Sequence, residues 1–278
     1  TGPSYGMELI ESECGLSSLQ LLAHNYIKES RTKIVAVTGS VGKTTTKDFI
    51  KTLLKSKYKT ASSPGNSNSQ IGLPLAILNH FDLDEDVFVL EMGMTHPGQI
   101  TKLVNIAPPS VAVVTSVNLV HACNFESIED IARAKAELFS HPDTKLGIYP
   151  KEYDFGIFST IGSSRKVSFS TTEKGADYFL VVQQDKMFLQ IQGGLPVHFL
   201  LLNLPGNHNR HNFLAAAVAA HHLGMSWEEI SLAQSTLILP ERRLEIVEKG
   251  GVTFLNDSYN ASEVSVKAAL NTLPNPQG

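Results

Sequence analysis

Short unbroken apolar runs recur through the first half of the chain, at Ile34–Val37, Val87–Leu90, Val111–Thr115 and Leu146–Tyr149. Strands buried on both faces have this pattern. Between them the apolar spacing becomes helical. Leu16 to Ile27 carries one stripe, Phe49, Ile50, Leu53 and Leu54 define a helix over about Thr44–Ser56, and Ile128–Phe139 defines another. Strand and helix in alternation predict an α/β fold with a parallel, doubly wound sheet. After Pro150 the pattern changes to short alternating segments at 155–158, 166–170, 178–183, 187–192 and 197–202, with Gly193-Gly194 among them. These predict β-hairpins added to the side of the domain. Helical spacing returns at Asn209–Leu223, and Ser226 with Glu229 forms a capping box for the next helix.

Pro240 and the charged run Glu241-Arg242-Arg243 read as a linker. Two strands around the Lys249-Gly250-Gly251 turn follow, then a helix from about Ser262 to Leu273 that Pro274 ends. This divides the chain into a tail (1–30), a central domain (31–240) and the first βαβ piece of a second, Rossmann-like domain (241–278). The chain is expected to be cut short at both ends, and so to bind its ligand without turnover.

Composition narrows the function classes. With 23 Lys+Arg against 27 Asp+Glu, the net charge of −4 gives no ground for a nucleic-acid or membrane-surface partner. Cys14 and Cys123 are the only cysteines and build neither a zinc site nor a disulfide framework, in keeping with a reducing cytoplasm. No apolar run reaches membrane-spanning length. A cytoplasmic monomer is expected.

The sharpest chemical signal is Val35-Ala-Val-Thr-Gly39-Ser40-Val41-Gly42-Lys43-Thr44-Thr45. It follows a predicted strand and opens a predicted helix, the context a phosphate-binding loop needs. Glycines let backbone N–H groups turn around an anion, and the helix start adds its positive dipole end. Lys43 is placed for the β- and γ-phosphates and the Thr44 hydroxyl for Mg²⁺. Val37 stands where the common eight-residue loop has its first glycine.

This short loop resembles that of the Mur ligase family. Further segments carry the same resemblance in the family's order: Gly65-Asn-Ser-Asn68-Ser-Gln-Ile-Gly72-Leu-Pro74, Glu91-Met-Gly93-Met, His121 to Ser127 ahead of Ile131–Phe139, Gly206-Asn-His208-Asn209-Arg-His-Asn212, Arg243-Leu-Glu245 and Asn256-Asp257-Ser-Tyr259-Asn260-Ala261. The resemblance implies an ATP- and Mg²⁺-dependent amide ligase working through an acyl phosphate. Among family members, Glu91-Met-Gly and Asp257-Ser-Tyr-Asn-Ala favour one that joins D-alanyl-D-alanine to UDP-N-acetylmuramoyl-tripeptide in peptidoglycan precursor synthesis. Alternatives are a ligase adding the third peptide residue, a folylpolyglutamate synthetase-like enzyme, a P-loop kinase, or a non-catalytic nucleotide-binding module. The known module of that last sort carries a four-cysteine zinc ribbon, which two cysteines cannot build.

Each residue also has a physical reading. Glu91 closes a buried strand, where open α/β sheets place ligands, and a carboxylate there can hold Mg²⁺ on phosphates. The other reading is a strand-end carboxylate facing solvent. Lys135 falls four residues after Ile131 and three before Leu138, on the apolar stripe. A lysine there either sends its head to water or is paired or chemically altered; the resemblance implies a carbamate that binds a second Mg²⁺ with His121. Asn209 and Asn212 share a helix face, and their amides can read adenine edge-on, whereas Asn207 or Asn209 can equally cap the helix. His208 opens the same helix. His211, His221 and His222 read as surface or packing residues. Arg243 is implied to reach the phosphates and Asp257 to contact ATP, the alternative being a linker charge and a turn aspartate. Arg242 replaces the glycine usual before that arginine.

Overall fold

A computed structural model describes residues 12–119, 124–183, 186–200 and 205–273. The expected position of His121 lies outside these residues, as does Cys123.

The apolar runs become the centre of one sheet. In chain order the elements are α1 (Gly15–Lys28), β1 (Lys33–Thr38), α2 (Lys43–Leu54), β2 (Thr60–Ser62), α3 (Gly72–His80), β3 (Val87–Glu91), α4 (Gln99–Ile106), β4 (Val111–Val114), α5 (Ile128–Ala136) and β5 (Leu146–Pro150). There follow β6 (Arg165–Ser170), β7 (Tyr178–Gln183), β8 (Lys186–Ile191), β9 (Val197–Leu200), α6 (Asn207–His222), α7 (Trp227–Ala233), β10 (Glu245–Lys249), β11 (Val252–Asn256) and α8 (Glu263–Leu270). The strand order is β2-β3-β1-β4-β5-β6-β7-β8-β9, with β10 and β11 in a separate antiparallel pair.

Strands from β2 to β7 run parallel, and β8 and β9 complete an antiparallel meander. The two faces are dry. Val35, Val37, Val87 and Val89 pack against α2, α6 and α7 on one side. Ile34, Ala36, Phe88 and Leu90 pack against α1, α3, α4 and α5 on the other. The near-continuous apolar character of β1, β3 and β4 follows from this double burial.

The hairpin expectation needs correction. Residues 155–158 form a turn, with Phe155 and Gly156 at positive φ. Segment 166–170 belongs to β6, which extends the parallel sheet by pairing along β5 from Leu146↔Arg165 to Pro150↔Phe169. Its sequence alternates but its burial does not: Val167 to Ser170 are all buried, and the Ser168 and Ser170 hydroxyls bond Asp177 and Glu152. Of the segments expected as hairpins, those of β7, β8 and β9 form them. The helix expected to run from Ile128 to Phe139 gives way to a 3₁₀ turn at Glu137–Phe139. The capping box is present, with Ser226 and Glu229 bonding reciprocally at the start of α7.

The chain leaves β1 towards β2 and β3 on one side, then returns to β4 on the other. The order therefore reverses at β1, and the crevice beyond its carboxyl end is where open parallel sheets bind ligands.

Candidate functional site

The loop after β1 occupies that crevice. Gly39 and Gly42 have φ of 153° and 85°, and Gly42 is the residue preceding α2. Both are also crowded: an added Cβ at Gly39 would meet the Thr115 hydroxyl, and one at Gly42 the Asn212 amide. Glycine is required here by conformation and by space. The first helical bond is Thr46 N–H to the Gly42 carbonyl at 2.8 Å, so the amides of Lys43, Thr44 and Thr45 precede it at the helix start.

Within the run Gly39–Thr45 expected to turn its N–H groups around an anion, the amides of Ser40 and Val41 are engaged elsewhere. Ser40 N–H donates to the Ser116 carbonyl at 2.9 Å and Val41 N–H to the Ser116 hydroxyl at 3.0 Å. Thr115 Oγ1 donates to the Val41 carbonyl at 2.6 Å, and Asn118 N–H to Ser40 Oγ at 2.9 Å. The segment beyond β4 thus braces the outer half of the loop and leaves the inner half open. Sequence reading missed Thr115, Ser116 and Asn118, although the rule that singles out Glu91 at a strand's carboxyl end applies equally to β4.

Side chains from distant segments meet at the helix start. The Thr44 hydroxyl donates to Glu91 Oε2 at 2.7 Å, and Asn68 Nδ2 donates to Glu91 Oε1 at 2.7 Å. Arg243 Nη2 donates to Thr44 Oγ1 at 3.0 Å. Glu91 is 1% exposed, and among the described residues no cationic side chain lies within ion-pair distance of it. Lys43 Nζ donates to the carbonyls of Gly39 at 2.8 Å and Ser40 at 3.4 Å. Burial lowers the Lys43 ammonium below its ordinary range against the pull of Glu91.

Arg243 is aimed by an unusual turn. Arg242 and Leu244, on either side of it, have φ of 58° and 54°. Arg242 thus takes the conformation a glycine would favour. Asp257 Oδ1 accepts from Leu244 N–H at 3.2 Å, and the Arg243 guanidinium lies 4.0 Å from the centre of the Tyr259 ring. Left-handed non-glycine residues are strained and cluster at functional turns.

A cavity of about 310 Å³ adjoins the loop, lined by Gly42, Thr45, His208, Asn209, Asn212 and Asp257 among others. A second, of about 300 Å³, is lined by Lys43, Thr44, Asn68, Glu91 and Arg243 among others. Both share Val41, Gly42, Arg243, Asp257 and Ser265. Asn209 and Asn212 are buried at the start of α6, with Asn209 Nδ2 donating to the Pro205 carbonyl at 2.6 Å. Burial lowers the His208 imidazole pKa. His211 is a packing residue, as expected: it bonds the Thr115 carbonyl at 2.9 Å and lies tilted on Phe169, yet it also lines the first cavity. His221 stacks on Trp227 and His222 bonds the Tyr178 hydroxyl.

Lys135 is 4% exposed on α5, between Ile131 and Leu138, both dry. No carboxylate among the described residues lies within ion-pair distance of it. Burial pushes its amine well below the usual lysine range, and the charge of Lys43 adds to the shift.

A glycine loop opening a helix at the reversal point of a parallel sheet, with a hydroxyl and carboxylate beside it, defines an α/β domain of the P-loop class. Comparison with known proteins makes the class specific. The Mur ligase middle domain matches residues 37–220, and the chain belongs to the Mur ligase family. It is 32% identical over 273 residues to the UDP-N-acetylmuramoyl-tripeptide--D-alanyl-D-alanine ligase of Bacillus subtilis, covering 95% of this chain and 57% of that protein. Among solved structures, MurF from Acinetobacter baumannii superposes with a TM-score of 0.83 at 27% identity, covering 96% of this chain and 61% of that one. The MurF ligase from Thermotoga maritima in complex with ADP gives 0.80 at 28% identity, covering 99% and 64%. The chain spans less than two thirds of the length of each of these relatives.

Proposed function

We propose that this chain is the ATP-binding core of a ligase that joins D-alanyl-D-alanine to UDP-N-acetylmuramoyl-tripeptide in peptidoglycan precursor synthesis. The observation that carries the nucleotide reading is the meeting of Thr44, Glu91 and Arg243 at the open start of α2, beside a cavity edged by Asn209 and Asn212. The identity of the substrates rests on the relatives that share most of this chain.

The site fits Mg²⁺. The buried Glu91 carboxylate takes its hydrogen bonds from neutral donors alone, with no cationic side chain among the described residues within ion-pair distance, and it sits beside a threonine oxygen at 2.7 Å. Hard oxygen donors of this kind suit magnesium, and an unpaired buried carboxylate is otherwise costly. Thr44 and Glu91 would hold one ion; His121 and a carbamylated Lys135 would hold a second. When bound, such ions neutralise charge as two anions approach.

The chain's own residues do the rest. The amides of Lys43–Thr45 hold the terminal phosphates, and Lys43 and Arg243 offset the charge on the γ-phosphoryl group. The tripeptide's terminal carboxylate oxygen forms a bond to the γ-phosphorus as the bridging bond to ADP breaks. The dipeptide amine then adds to the acyl carbon, phosphate leaves with the C–O bond electrons, and the amine sheds its proton. Asn209, Asn212 and His208 seat the adenine, and Asp257 holds the turn that presents Arg243. Burial lowers the Lys135 pKa and so raises the share of neutral amine, the nucleophile CO₂ needs to form a carbamate. Residues 31–240 act as the ATP domain. Residues 241–278 open a second domain, and residues 1–30 end a substrate-binding one. Among the described residues no helix is long and apolar enough to cross a membrane; the reading places the protein in the cytoplasm as a monomer.

Calorimetric titration of the chain with ADP or a non-hydrolysable ATP analogue, with and without Mg²⁺, tests the nucleotide reading. Binding strengthened by Mg²⁺ and lost in Lys43→Ala supports it; no binding sinks it. For the acceptor, the matching segment of the Bacillus subtilis relative is replaced by this chain. Phosphate release from that protein, once shown to bind ADP, should require D-alanyl-D-alanine and not a free diamino acid.

A further inference from the structure

Lys47 is as deeply buried as Glu91, at 1% exposure, and nothing in the proposed chemistry uses it. A lysine that merely packs sends its head to water along an apolar stem. Lys47 instead turns its ammonium inward. It donates to the Ser63 carbonyl at 2.7 Å and the Gly65 carbonyl at 2.9 Å, with the partly exposed Asp48 carboxylate at 3.4 Å. Burying such a cation costs free energy that an apolar side chain of similar volume would not.

Those two carbonyls begin the segment that reaches Glu91. Ser63 is tied to β3 twice: its N–H donates to the Val89 carbonyl at 3.0 Å, and its hydroxyl accepts from Glu91 N–H at 3.2 Å. From Gly65, at φ 49°, the chain turns through Ser67, whose N–H donates to the Pro64 carbonyl at 3.1 Å. It arrives at Asn68, whose amide holds Glu91 Oε1 and whose carbonyl accepts from Gly93 N–H at 2.8 Å. The fit there is close, since a Cβ on Gly93 would come within 2.8 Å of the Asn68 amide. Lys47 is three residues beyond Thr44 on the same helix. It therefore links the helix carrying the hydroxyl ligand to the segment that orients the carboxylate.

We propose that Lys47 is a positioning residue for magnesium: its buried ammonium clamps residues 63–65 to α2 and so sets Asn68 against Glu91. The inference rests on the reading of Thr44 and Glu91 as metal ligands. Groups that orient a ligand commonly change metal affinity by about 10–100-fold when removed.

The test titrates Mg²⁺ into the ADP-saturated chain, its Lys47→Met and Asn68→Ala variants, and the double variant. ADP binding without Mg²⁺ serves as the control for folding. Lys47→Met should weaken Mg²⁺ about tenfold or more, leave Mg²⁺-free ADP binding unchanged, and add little to Asn68→Ala, because both act through one linkage. In nucleotide-free protein, the amides of Ser67 and Gly93 should exchange hydrogen faster in Lys47→Met. Parent-like Mg²⁺ affinity in Lys47→Met, or full additivity with Asn68→Ala, overturns the proposal. Should Lys47→Met fail to fold, Lys47→Gln keeps one neutral donor, and an unchanged Mg²⁺ affinity there overturns it equally. A parent chain that binds ADP without any Mg²⁺ effect would remove the Glu91 reading itself, a result distinct from failure of Lys47 alone.

Discussion

Thr44 on α2 and Glu91 at the end of β3, both buried, are joined by a 2.7 Å hydrogen bond at the edge of a cavity. The bond places a hydroxyl and a carboxylate oxygen, donors that suit a hard cation, side by side at a helix start that favours the anion it would accompany. Glu91→Gln keeps the shape and an acceptor for Thr44 while removing the charge. The Mg²⁺-dependent part of ADP binding should fall by at least about tenfold. The melting temperature should change little, because the desolvation cost of the buried carboxylate and its attraction to Lys43 are lost together. Calorimetry and thermal melting check the two halves separately.

Gly42→Ala and Gly98→Ala form a matched pair. Both glycines have φ near 80° (85° and 79°) and each precedes a helix. At Gly42 a Cβ would run into the Asn212 amide, whereas at Gly98 nothing lies within 4 Å. Each substitution carries backbone strain of about 1–2 kcal/mol. Only Gly42→Ala should also abolish ADP binding. Equal ADP affinity in the two variants would show that the loop's shape is not what holds the nucleotide.

Lys135 should make the free chain less stable at neutral pH than a neutral isostere would. Its folded pKa is depressed well below 10.5, so as pH falls below 10.5 the unfolded chain takes up a proton that the native amine refuses. Stability is then lost down to the folded pKa. Lys135→Met should therefore raise the melting temperature at pH 7, in CO₂-free buffer, with the gain shrinking towards pH 10.5. With ¹³C-bicarbonate the parent should show a carbamate carbonyl resonance that Lys135→Met lacks.

His222 governs part of the acid limb. Burial, with the nearby charges of Arg165 and His221, lowers its pKa from 6.5 to about 4. Between these values the unfolded chain binds a proton that the native ring does not, so the native state loses stability as pH falls through that window. His222→Gln, which can still meet the Tyr178 hydroxyl, should flatten melting temperature against pH between 6.5 and 4.

What the sequence made legible was local. The β1 strand, its glycine loop and α2 follow from an apolar run, two glycines and a helical stripe within a short stretch. Lys135 could be placed on the buried stripe from Ile131 and Leu138 alone, and the structure buries it there. What escaped depends on partners far along the chain. Ser116 and Asn118 brace the loop from about 75 residues away, and their burial and bonding follow from the β1–β4 pairing. Lys47 looks like any helical lysine until β2 brings the Ser63 carbonyl beneath it. The β6 segment alternates like a hairpin strand because Ser168 and Ser170 are buried with carboxylate partners, and only its register with β5 shows it to be parallel.

The most direct test of the central claim is a crystal structure of the chain soaked with a non-hydrolysable ATP analogue and magnesium. The account predicts terminal phosphates on the amides of Lys43, Thr44 and Thr45, magnesium touching Thr44 Oγ1 and a Glu91 carboxylate oxygen, and the base against Asn209 and Asn212. A nucleotide seated elsewhere, or magnesium bound without Glu91, would contradict it.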